Sequence, residues 1–222
     1  MNYKLERKDI TLNGKQKIIG HGYTGNVYQY GNYALKIFDK VDDVLDEETA
    51  RYLSTIRTSR ILLPKKLIYY KDKFKGYSMK LISNKPNSKS IINLPKDKLL
   101  EDIELLEDDV TTLSSKRVLL NGMNLNNIIF NGNLYITDPS RYSLLELSDL
   151  DKIFNLDDLN QFQLYLLLNN IIIQELNKIQ KQSGVSELKE LLDEKDSNIS
   201  YSEYLSEIIG QNNNIKTLVK KL

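Results

Sequence analysis

Gly20-His21-Gly22-Tyr23-Thr24-Gly25 carries the spacing G-x-G-x-x-G. Glycines so placed let a backbone come close to phosphate groups and donate its N–H groups to them. Spacing alone does not name a fold. In a dinucleotide-binding unit the motif opens a helix. Here it opens a strand, because Asn26-Val27-Tyr28 alternates and turns back through Gly31-Asn32 into Ala34-Leu35-Lys36-Ile37. The context rejects the dinucleotide reading and predicts a glycine-rich strand–turn–strand flap, the plain alternative being a purely structural turn. Lys36 lies between Leu35 and Ile37, so on a strand it projects opposite to both, under the flap. Its compact ammonium suits bridging phosphate oxygens; an outward edge-strand lysine is the alternative. Such a lysine needs an anion to hold it. Glu47 and Glu48 on the next helix are the candidates, and Glu48 is preferred because it shares a face with Leu45, Tyr52 and Ile56.

Composition removes most other chemistries. With no cysteine in 222 residues there is no disulfide scaffold, thiolate metal site or cysteine nucleophile. A single histidine, His21, rules out a multi-histidine metal site and leaves a Ser-His-Asp triad only if His21 serves in it. Net charge is +1, and no reading motif accompanies the basic residues, so nucleic-acid binding is not expected. The opening MNYKLERKDITLNG has no apolar core for Sec export. The best membrane candidate, residues 164–173, is too short and is broken by Asn169 and Asn170. A cytoplasmic protein is expected, or one delivered into a host cell without a Sec signal, and no membrane partner. The excess of Ile, Leu, Lys and Asn suggests an AT-rich bacterial or viral genome.

The elements that must position these residues change character along the chain. Through residue 82 the runs Lys17-Ile18-Ile19, 26–30, 33–38, Leu67-Ile68-Tyr69-Tyr70 and 77–82 read as strands, the last pair around a turn at Lys75-Gly76. Only 45–56 has helical periodicity among them. The polar stretch 83–90, containing Pro86, is the best internal boundary. Beyond it helices dominate: 95–113, then one N-capped by Asp157-Asp158 and running to about Ile179, then 186–192 and 201–209. Between the first two, a short strand at 117–120 precedes a hairpin of Ile128-Ile129-Phe130 and Leu134-Tyr135-Ile136, closed at Asn131-Gly132. Charge is divided too. Residues 60–98 hold eleven Lys/Arg against two Asp/Glu, and 99–160 hold four against twelve. Solvated faces are the plain reading; a basic ridge meeting an acidic partner is the other.

Taken in order, these motifs resemble the protein kinase-like superfamily, and in compactness the minimal bacterial effector-type kinases. The carriers are the glycine flap, Ala34-Leu35-Lys36, Met79-Lys80-Leu81-Ile82, Asn124-Leu125-Asn126-Asn127-Ile128-Ile129, Thr137-Asp138-Pro139-Ser140 and Asp158-Leu159-Asn160-Gln161-Phe162. The resemblance implies an α+β bilobal fold. An N-lobe (residues 1–82) of a five-stranded antiparallel sheet with one helix would precede a shortened, mainly helical C-lobe (83–222). It implies an ATP site at Gly20, Gly22, Gly25, Val27, Lys36, Glu48, Met79 and Leu81, with Lys36, Asn127 and Asp138 catalytic. Asn127 and Asp138 would hold Mg2+, and Asp158 would brace the catalytic loop. The implied activity is phosphoryl transfer from ATP, on Ser/Thr of an unknown protein.

Departures are equally specific. Counting back from Asn127, the place of the catalytic aspartate falls at Gly122, which can neither orient an acceptor hydroxyl nor accept its proton. Asn121 stands where the family has the arginine that meets a phosphorylated activation loop. Pro139 and Ser140 replace its Phe and Gly, and a proline should resist the usual flip. Only twenty residues separate Asp138 from Asp158, too few for a long activation segment. A nucleotide-binding pseudokinase, serving as a switch or interaction module, is therefore the alternative. If the protein is an enzyme, Gly122→Asp is expected to raise turnover.

Overall fold

The computed structural model describes residues 2–5, 8–11, 16–39, 44–82, 90–146, 155–179, 184–194 and 199–222. Its architecture is α+β, with strands first and helices after. Strands β1 (Asn2–Leu5), β2 (Lys8–Thr11), β3 (Ile18–Gly22), β4 (Gly25–Tyr30), β5 (Tyr33–Phe38), β6 (Lys66–Tyr70) and β7 (Lys73–Lys80) form one antiparallel sheet in the order β2-β1-β6-β7-β5-β4-β3. The sheet thus has seven strands where five were expected. The added hairpin has a packing reason. Leu35, Ile37 and Ile68 point to the outer face of the sheet, and Tyr3 and Leu5 of β1 cover them in a small separate core. Tyr3 and Leu5 flank exposed Lys4, a period-two signal that marks the strand.

Alternation on β5 does what the sequence implies. Leu35 and Ile37 enter the outer core, while Ala34 and Phe38 enter the main core on the opposite face, the face that also carries Lys36. The turn between β6 and β7 differs from expectation. It falls at Lys71 and Asp72, with φ of 50° and 57°, and Gly76 lies inside β7. A Cβ on Gly76 would come 1.9 Å from the Lys36 carbonyl oxygen, so glycine there allows β7 to lie close against β5.

Helix α1 (Glu47–Leu53) is shorter than the periodic stretch 45–56. Asp46 caps it, accepting from Thr49 N at 2.7 Å, and Thr49, Ala50 and Leu53 face inward. Of the expected boundary stretch 83–90, residues 83–89 lie outside the described residues. Helix α2 (Lys96–Ser115) packs on α3 (Leu156–Asn177) and α5 (Tyr201–Ile209), with α4 (Val185–Asp193) and α6 (Ile215–Val219) completing this half. Asn155, not the Asp157-Asp158 pair, caps α3. Between α2 and α3 lie β8 (Val118–Leu119) paired with β11 (Ser143–Leu144), and the hairpin β9 (Ile128–Phe130)–β10 (Leu134–Ile136).

Two aspartates on the inner face of α2 tie the halves together. Asp102 accepts from Arg60 Nη2 at 2.7 Å and Nε at 3.0 Å, and from Leu134 N at 3.0 Å. Asp109 accepts the N–H groups of Ser59, Arg60 and Ile61, at 2.6 Å from Arg60 and 2.8 Å from Ile61. Burial raises the Asp109 carboxyl above its ordinary range, against the lowering effect of those donors. The segment so held runs parallel to β10 at Ile61–Ile136. The acidic stretch is therefore only partly a solvated face: two of its members are buried connectors. Among the described residues, no helix is long and apolar enough to cross a membrane.

Candidate functional site

A cleft of about 760 Å3 opens under the flap formed by β3 and β4, and residues distant in sequence meet in it. Gly20, Gly22, Val27, Lys36, Met79, Leu81, Asn127 and Asp138 all line it. Gly25 and Glu48 do not. The three flap glycines have different reasons to be glycine. A Cβ on Gly22 would lie 3.0 Å from Lys36 Nζ and 3.9 Å from Asp138 Oδ2, so the bare backbone passes directly above the charged pair. A Cβ on Gly25, at φ 150°, would fall 2.0 Å from the Ile37 carbonyl oxygen, so its role is to let β4 reach β5. Gly20 has ordinary room, with Val27 Cβ at 3.6 Å. His21, exposed on the flap, shares a hydrogen bond with Asn26 Oδ1 at 2.7 Å.

The expected Glu48–Lys36 pair is absent. Lys36, only 1% exposed, pairs instead with Asp138, its Nζ 2.9 Å from Oδ2. Glu48 faces solvent, because the short α1 turns Thr49 and Ala50 inward. Glu47 is engaged elsewhere, accepting from Tyr69 Oη and Arg51 Nη2, each at 2.8 Å. Those two hydrogen bonds hold its carboxyl below the usual range.

Asp138 is clamped from a second side. Tyr77, opposite Lys36 on β7 and fully buried, donates its hydroxyl to Asp138 Oδ1 at 3.2 Å. Burial first, and the Asp138 charge second, push the Tyr77 phenol well above its ordinary range, so it stays a donor at all working pH. Asp138 itself has φ 59°, a conformation that turns its side chain back toward β5 and β7. Asn127 sits at the end of a short 3-10 turn. Its Nδ2 donates to the Gly122 carbonyl at 3.2 Å, and its backbone oxygen accepts Thr137 N at 2.7 Å, which binds the Asn127 loop to the Asp138 segment. At the far wall Met79 is buried, and the Leu81 N–H is already committed to the Asn32 carbonyl at 3.2 Å.

Gly122 has φ 76°, and the side chain of Arg141 crosses above it. A Cβ there would meet Arg141 Cδ at 2.8 Å and Cβ at 3.2 Å. The guanidinium then reaches the flap, 5.9 Å from the ring centroid of Tyr23. The cleft lining carries Lys36, Lys80 and Arg141 against a single carboxylate, Asp138, among the described residues. Its field favours a polyanion.

Sequence reasoning missed three residues. Tyr77 and Arg141 reach the site through strand register and a loop crossing that no local spacing encodes. Asn160 had a readable signal. It lies on the buried face of α3 with Leu156, Leu164 and Leu167, whereas Asp158, the expected brace, is exposed. Asn160 Oδ1 accepts Leu120 N at 2.9 Å, and its Nδ2 donates to Ser114 Oγ at 3.0 Å and to the Val118 carbonyl at 2.9 Å. It holds the strand leading to Gly122.

No protein-family model matches the sequence, and no curated protein matches it. Among solved structures, the kinase PK-1 of Cydia pomonella granulovirus is similar at 13% identity and a TM-score of 0.44, covering 60% of this chain and 53% of that one. The chain therefore spans about half the length of that viral kinase.

Proposed function

We propose that the cleft binds ATP with magnesium and that the protein is an atypical kinase-like phosphotransferase, transferring the terminal phosphoryl group to Ser/Thr of a protein. One observation carries this reading: Lys36, Asn127 and Asp138 converge under a flap whose Gly22 leaves no side chain between backbone and charge. That bare cradle is where phosphates would lie. Lys36 would then exchange its Asp138 contact for phosphate oxygens. Asp138 and the amide oxygen of Asn127 form a donor set that suits magnesium, which takes few protein oxygens and completes its shell with phosphate and water. Magnesium would neutralise charge developing on the transferred phosphoryl group. Met79 and the wall around it offer an apolar seat for a base.

Phosphoryl transfer depends mainly on positioning and electrostatics. Loss of a base at Gly122 would slow it by about two to four orders of magnitude. The same glycine, with no second carboxylate among the described cleft residues, favours the other reading, a nucleotide-binding pseudokinase serving as an interaction or switch module. The test is transfer of radiolabelled γ-phosphate to the protein itself and to generic protein acceptors. Slow labelling, absent from Asp138→Asn, supports the phosphotransferase. Nucleotide binding without any labelling selects the pseudokinase.

A further inference from the structure

The notable feature of the cleft is what replaces the missing carboxylate. Gly122 lacks a side chain and adopts φ 76°, and the space a Cβ would need is taken by the stem of Arg141, its Cδ 2.8 Å away. Arg141 is exposed, yet its guanidinium lies over Tyr23 at the tip of the flap, 71% exposed and 5.9 Å away. Both residues line the cleft with Lys36 and Asp138. The guanidinium thus lies between the flap tip and the Gly122 backbone.

We infer that Arg141 is the ligand for the outermost phosphate of a bound nucleoside triphosphate, carried across Gly122 and steadied by Tyr23. The inference rests on the nucleotide reading above and adds a specificity to it. Lys36 is buried deep beside Asp138 and would meet the inner phosphates, so triphosphate and diphosphate alike reach it. Arg141 stands at the mouth and meets only a group that extends there. A planar guanidinium forms paired, charge-assisted hydrogen bonds with phosphate that an ammonium cannot reproduce. Tyr23 gives the cation a face to rest on when the site is empty. Any side chain at residue 122 would obstruct this crossing, which gives the loss of the carboxylate a structural counterpart.

The test is calorimetric titration of the full chain with ATP, ADP and adenosine in the presence of magnesium, for wild type, Arg141→Ala and Arg141→Lys. The expected result is that Arg141→Ala weakens ATP by about tenfold or more. ADP should change by no more than about twofold, adenosine should not change, and Arg141→Lys should be intermediate for ATP. The ATP-to-ADP ratio is the readout, since a general structural defect would weaken all three ligands together. Equal weakening of ATP and ADP, or no change in either, overturns the assignment of Arg141 and leaves the nucleotide reading standing. A folded wild-type protein that binds none of the three overturns both.

Discussion

Gly122→Asp is the substitution that the family resemblance invites, and the structure reverses its expected outcome. The backbone at residue 122 has φ 76°, where any L side chain costs about 1–2 kcal/mol, with aspartate at the lower end of that range. The new Cβ would also stand 2.8 Å from Arg141 Cδ and 3.2 Å from Arg141 Cβ. The Cδ contact can be relieved by swinging an exposed side chain outward; the Cβ contact needs backbone movement and adds about 1 kcal/mol. The total is roughly 2–3 kcal/mol of lost stability, or a melting temperature lowered by about 4–12 °C for a chain of this size. Turnover should not rise, because the introduced carboxylate would meet Arg141 before it met an acceptor. Differential scanning calorimetry of Gly122→Asp, Arg141→Gly and the double variant completes a cycle, and removing the Arg141 Cβ should recover part of the loss. A Gly122→Asp protein that melts like wild type and transfers phosphate faster would refute this account of the loop.

Gly25→Ala should destabilise severely, by about 3 kcal/mol or more, because its Cβ would fall 2.0 Å from the Ile37 carbonyl, while Gly20→Ala should cost less than about 1 kcal/mol; urea unfolding separates them. Asn160→Ala should lower stability by about 2–4 kcal/mol by orphaning the Leu120 N–H and the Val118 carbonyl, whereas Asp158→Ala should be nearly neutral in the same assay. Glu47 has a carboxyl lowered by hydrogen bonds from Tyr69 and Arg51. Its contribution is present above the ordinary value of 4.5 and is lost as pH falls through the lowered one. Being partly exposed, it is worth under about 1 kcal/mol, so Glu47→Gln should lower stability slightly at neutral pH, leave it almost unchanged in acid, and so flatten the acid limb of stability measured by urea unfolding against pH.

How legible the chain was depends on whether a feature is local. The flap, the inward face of β5 and the β9–β10 hairpin follow from alternation and turn residues within a dozen positions, and each is where those signals place it. The partner of Lys36 is not local. Periodicity favoured Glu48 on an apolar face, but α1 spans only Glu47–Leu53 and presents Thr49 and Ala50 inward, so the ion pair passes to Asp138, far along the chain. Tyr77 looked like an ordinary strand residue, and only its register opposite Lys36 brings its hydroxyl to Asp138. The first hairpin carries a weak sequence signal because its apolar positions, Tyr3 and Leu5, are separated and flanked by charge. Asp102 and Asp109 read as solvated acids; their buried use depends on the Arg60 guanidinium for the first and the N–H groups of Ser59, Arg60 and Ile61 for the second, more than forty residues earlier and beyond any helical period.

The central claim is that this cleft holds ATP with magnesium through Lys36, Asn127 and Asp138, and thermal melting with and without ligand tests it most directly. Saturating ATP with magnesium should add about 2–3 kcal/mol at a hundredfold excess over Kd, a rise of roughly 4–12 °C. The rise should shrink when magnesium is chelated, and Lys36→Met and Asp138→Asn should each abolish most of it while remaining folded. An unchanged melting temperature at millimolar ATP and magnesium, in a wild-type sample shown to be folded, would contradict the account.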